Sequence, residues 1–163
     1  MLDLADRNRG SFSVQVSNER VTRLEQLILQ APQTDLNTRH FLVDGPNGTK
    51  LYGREITVPA EAVITGAAHK HDCLCISIGD IEVTTDDGTP KRLTGYHAFT
   101  APAGRKRAGN AFAETKWITL HVVTSQTIDD IERELFDQAD ELQAKLQRDG
   151  QFEAGQCSQL AEA

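Results

Sequence analysis

At 163 residues, with 39% hydrophobic and 25% charged side chains, the chain has the length and composition of one globular domain with a core of its own. A formal net charge of -7 argues against a general nucleic-acid coat or an anionic membrane surface as partner, though not against a local basic site. No apolar run is long enough to cross a bilayer, MLDLADRNRG lacks a signal-peptide core, and Cys73, Cys75 and Cys157 do not read as a disulfide framework, so a reducing cytoplasm is expected.

Taken in chain order, residues 1–17 carry no strong pattern and read as a loose arm. From Asn18, a possible cap, Val21, Leu24, Leu27 and Ile28 recur at helical steps until Pro32. DGPNGTK (44–50) is a turn-rich loop. Short strand patterns follow: LYGREITV, AVITGAAHKH, CISIGDIEVTT with a bend at Gly79 and Asp80, KRLTGYHAFTA, KRAGNAFA and KWITLHVV, broken by the turns DDGTP and PAG. So many short strands with no helix between them predict an antiparallel β-barrel or sandwich over about 51–123. Thr127 to about Gln147 reads as a second helix, with Ile128, Leu135 and Leu142 on one seam extended by Ala139 and Leu146. The seam packs on the barrel or forms a dimer. The expected organisation is an arm (1–17), one domain with flanking helices (18–148) and a disordered tail (149–163).

The sharpest chemical feature is His69 and His71. Alternate residues of a strand share a face about 7 Å apart, so two imidazoles could converge there on one metal ion or one anion. His121 is a candidate third ligand if Trp117, Thr119 and His121 face inward, and a surface residue if Ile118, Leu120 and Val122 do. Cys73 and Cys75 continue the histidine face if the strand runs straight; small buried hydrophobes are the plainer reading and a thiolate ligand the alternative. His97 and His40 read as packing residues, and Trp117 as core. Arg105 and Lys106 read as a solvated charge run, whereas Arg107 suits a carboxylate or phosphate. Tyr52 and Arg54 lie on the first barrel strand, with either parity open.

The order of these features resembles the two motifs of the cupin superfamily, over about Leu51 to Val123. Gly66, His69, His71 and Gly79 match part of the first motif, and Gly95, Pro102 and Gly104 most of the second. YGREITVPA, TGAAHKH, PAGRKR and KWITLH are similar to short cupin-like proteins of phages and bacteria, which places the expected cytoplasm in the host if the chain is phage-encoded. The resemblance implies a jelly-roll barrel, frequent pairing through sheet edges and, in the standard family site, a metal on three histidines and a glutamate. Here the interval from His71 to Gly79 is shortened, which removes the glutamate or replaces it with Asp72, and Arg107 stands where a histidine is expected.

The expected function is therefore a barrel pocket for a small anionic molecule, held by Arg107, His69, His71, Tyr52, Arg54 and Arg105, with or without one divalent ion (zinc, iron, manganese or nickel) on His69, His71 and His121. The alternatives are a metal-dependent enzyme, an oxygenase, isomerase or lyase acting on a small acid, and a phage protein sequestering a nucleotide-like signal. A homodimer is expected.

Overall fold

The computed structural model describes residues 4–137, with side chains from Val14 onward. Helix α1 spans Leu4–Ile28, and strands β1 (Arg39–Asp44), β2 (Lys50–Val58), β3 (Val63–Thr65), β4 (Cys73–Thr84), β5 (Pro90–Ala101) and β6 (Ala108–Val123) precede helix α2 (Ile128–Leu135). The chain is mainly antiparallel β with one helix before the sheet and one after, as its turn spacing predicts. β2 to β6 occupy the stretch expected of the barrel.

The sheet is a single curtain in the order β1-β2-β6-β4-β5, with β3 also on β6. β1 and β5 are not paired with each other, so the expected closed barrel is an open sheet. β6 is the spine: β4 runs along one side of it, while β2 and β3 share the other, β2 at its end and β3 at its start. β1 contributes an edge with all six residues exposed.

Alternation sets the two faces. Tyr52 and Val58 on β2, Cys73, Cys75, Ile81 and Val83 on β4, Leu93 on β5, and Thr115, Thr119 and His121 on β6 are buried. The same parity turns Leu51, Leu74, Ile78, Tyr96 and Val122 outward, where they stay exposed. The short helix α2 is strongly amphipathic: Ile131 and Leu135 are fully buried and pack with Phe136 on Tyr52 and Val123. Thr127 caps it as expected, its hydroxyl accepting from the Asp130 amide at 3.3 Å.

Three expectations about the helices change. α1 begins at Leu4, so most of the presumed arm is helical and Asn18 lies inside the helix. Instead of capping, the Asn18 amide donates to the Gly104 carbonyl at 2.7 Å and accepts from the Lys106 amide at 2.9 Å. This pins the helix to the turn before β6. Lys106, read as solvated, is buried and donates to Glu25 at 2.6 Å. α2 stops at Leu135 because Phe136 turns extended and bridges His69. Its expected continuation through Ala139, Leu142 and Leu146, and the tail, lie outside the described residues.

Candidate functional site

His69 and His71 do not sit on a strand. His69 makes an isolated bridge to Phe136, residues 70 and 71 form a bend, and β4 begins only at Cys73. The bend undoes the alternation that would have put both histidines inside. His69 is half-buried with its ring 5.1 Å from Phe136, whereas His71 is exposed. Asp72 does not replace the family glutamate either: its carboxylate accepts from the Ala103 amide at 2.8 Å and holds the PAG turn. Gly104 completes that turn at φ 76 and donates to the His69 carbonyl at 2.8 Å, so the second motif positions the first.

His121 resolves the parity question on β6. It pairs with Tyr52 in register and faces inward at 2% exposure. Its ring lies edge-on to His69, centroids 4.8 Å apart. Cys73 joins them, its Sγ 3.2 Å from Nδ1 of His69. One ligand atom each from His69, Cys73 and His121 lie within 4.8 Å of one another. The third vertex of the triangle is thus Cys73 and not His71. The thiolate alternative pointed to it, but the straight-strand assumption hid that a bend would bring Cys73 to His69 and turn His71 away.

Both ring nitrogens of His121 are buried and have no hydrogen-bond partner among the described residues. A buried imidazole without partners costs about 1–3 kcal/mol, which a metal ion would offset. The donor set fits one: two imidazoles and a thiol suit zinc or a late first-row ion better than magnesium or calcium. Tetrahedral ligand atoms around zinc stand about 3.5 Å apart, so the triangle need contract by only about 1 Å.

Electrostatics around the triangle favour neutral groups. Burial, with the charges of His71 and Arg54, pushes His121 down to about 4. The neighbouring Cys75 thiol and burial push the Cys73 thiol up against the pull of His69. Cys75 is lowered, chiefly by its contact with Cys73, their sulfurs 3.8 Å apart and unbonded. The low value of His121 carries a stability consequence. Its unfolded value is near 6.5, so the unfolded chain takes up a proton first, and stability present above pH 6.5 falls as pH drops towards 4. Metal-free protein is expected to lose about 2 kcal/mol between pH 7 and pH 5 from this group, and His121→Gln to flatten that slope, read from urea midpoints.

Tyr52 and Arg54 face the same interior. Tyr52 is fully buried, shares a 2.8 Å hydrogen bond with Nδ1 of His40, and has its phenol pushed up to about 12, mainly by burial. His40 is thereby a partner of the site, which its place before an apolar run did not reveal; desolvation and then the Arg54 charge lower it. Arg54 is half-buried, and its Nε is buried without a partner among the described residues. Glu132 of α2, which sequence reasoning missed, is 6% exposed, and its charge is felt by both His40 and Tyr52. His97, read as a packing histidine, bonds the Thr94 carbonyl at 3.1 Å, and Trp117 packs edge-on to Phe99 at 5.8 Å.

Arg107 is not one of the triangle's side chains, although its charge helps lower Cys75. It donates to the Thr84 carbonyl at 2.9 Å and pairs with Asp86 at 3.4 Å. Arg105 reaches the same carboxylate at 3.8 Å. The acid that the motif itself did not offer comes from the DDGTP turn, so Arg107 is not a lone interior cation. With Lys106 on Glu25, the whole RKR cluster is engaged.

No protein-family model matches the chain, and no curated protein does. Solved structures do. KdgF from Halomonas sp. is 22% identical, with 56% of this chain and 93% of that one covered at a TM-score of 0.39. A cupin-2 domain containing protein from Shewanella frigidimarina is 14% identical, with 59% and 89% covered and a TM-score of 0.39. Ectoine synthase from P. lautus is 17% identical, with 63% and 74% covered and a TM-score of 0.45.

Proposed function

We propose that the chain binds one transition-metal ion, zinc or a late first-row ion, on His69, Cys73 and His121, and through it a small anionic molecule. The observation that carries this reading is the buried His121 ring, both nitrogens unpartnered among the described residues, beside His69 and Cys73. Manganese suits the set less than zinc, iron or nickel, because a thiolate is a soft ligand. The ion would supply Lewis acidity and a fixed positive charge. Arg54 is the anion-facing residue of this reading: it shares the interior with Tyr52, and its buried Nε has no partner among the described residues.

A metal-dependent enzyme acting on a small acid is the second reading. Three protein ligands favour it, since they leave a coordination position for water or substrate. Within it Tyr52, neutral at ordinary pH and bonded to His40, is a hydrogen-bond donor beside the site. A homodimer paired through a sheet edge remains part of the proposal, supported by the edge strand β1 with its six exposed residues. The deciding measurement is elemental analysis of untagged protein loaded with zinc and dialysed. One equivalent per chain supports a metal centre, and none at micromolar free zinc refutes it.

A further inference from the structure

A cavity opens on the sheet's inner face, lined by none of the three candidate metal ligands. It has a volume of about 450 Å³ and lies between the end of β4, the start of β5 and Arg107. Val83, Leu93 and Phe99 give it an apolar lining, while Arg107, Lys91 and Asp86 give it polar groups. This is the size and mixture of a small-molecule site, largely apolar with a few convergent charges.

The charges there are poorly matched. Asp86, 48% exposed on its turn, is the shared partner of Arg107 at 3.4 Å and Arg105 at 3.8 Å, both longer than a good charge-assisted bond. Each arginine keeps a buried donor with no partner among the described residues, Nε of Arg107 and Nη1 of Arg105. Asp87, the other acid lining the cavity, is turned onto Thr85 and Thr89. Asp86 thus gives the cationic side a loose carboxylate, and a better-placed one can displace it. The Arg107 guanidinium lies over the Phe99 ring at 6.0 Å, so an apolar, ring-stacking surface adjoins the cationic one.

We propose that this cavity binds a small aromatic carboxylate, its carboxylate on Arg107 in exchange for Asp86 and its ring against Phe99 and Leu93. The cavity shares no ligand with the metal centre, although Phe99 packs against Cys73 and Cys75 and the Arg107 charge reaches Cys75. Benzoate titrated calorimetrically into chelator-treated protein tests it, because the metal site then cannot take the probe. Wild type should bind benzoate, and Asp86→Asn should bind it about fivefold more tightly, since the competing carboxylate is gone. Arg107→Gln should weaken binding at least about tenfold. The Arg107 variant also loses its bond to Thr84, so the exposed Asp86 variant, with its opposite sign, carries the test if Arg107→Gln unfolds. No benzoate binding to either wild type or Asp86→Asn would overturn the proposal. So would affinity unchanged by Asp86→Asn, or tighter binding of phenyl phosphate than of benzoate.

Discussion

Alanine in place of His121 is expected to lower zinc affinity by at least about 100-fold, whereas alanine in place of His71 leaves it within about threefold. The contrast separates the folded site from the sequence motif. His71 is half of the HxH pattern, yet the bend at 70–71 leaves it exposed. His121 lies far along the chain but is buried against His69. Removing a ligand costs more than the 10- to 100-fold that is usual for a group merely supporting one, which sets the floor. Cys73→Ser should match His121→Ala in affinity and also erase the sulfur-to-metal charge-transfer band of cobalt-loaded protein, which His121→Ala keeps wherever cobalt still binds. Arg107→Ala should leave metal affinity unchanged, because its partners are Thr84 and Asp86. Competition against a chromogenic chelator reads all four. Equal losses for His71→Ala and His121→Ala would place the ion elsewhere.

The second large effect is on stability. Gly79→Ala should cost about 4 kcal/mol and lower the melting temperature by about 12 °C. Gly79 sits at φ 147, and an added Cβ would fall 2.7 Å from the Glu114 carbonyl oxygen and against Thr115 Oγ1. A carbonyl held in the spine strand cannot step aside. Gly95 is the control: its φ is 81 but nothing lies within 4 Å of the position. Gly95→Ala should therefore cost only about 1 kcal/mol, the conformational part alone. Similar losses for the two variants, by thermal unfolding, would show that close approach contributes nothing.

Gly79 also shows where the sequence could be read and where it could not. As a glycine between strand patterns it reads as a bend. In the structure β4 continues through it as one strand, and the irregularity is a register shift against β6 between Ile78 and Ile81. The β stretch from Lys50 to Val123, its turns and the existence of the two helices were legible because alternation and turn residues are local signals, but β1 was not read as a strand, and KRAGNAFA and KWITLHVV, read as two, are the single strand β6. Closure was not legible, because it depends on whether β1 and β5 meet. The candidate site divides the same way. His69 and the inward parity of His121 could be posed from spacing, but choosing between parities needed the partner strand, where Tyr52 stands opposite. Cys73 and Glu132 were hidden for a related reason: a two-residue bend and the docking of α2 are tertiary outcomes. Arg107 stood out as a cation lacking a nearby acid, and Asp86 became that acid only when β4 and β6 came together.

The spine position of β6 bears on how the protein is made. During synthesis β1 can pair with β2, and β4 with β5, as soon as each hairpin leaves the ribosome. The pairings that join them all await β6, the last strand to emerge. His69 and Cys73 are translated well before His121, and the α2 segment that covers Tyr52 comes later still. A nascent chain therefore exposes two unjoined hairpins and the Cys73–Cys75 thiol pair until β6 has emerged. An ion held by all three residues can be captured only once β6 has joined the sheet.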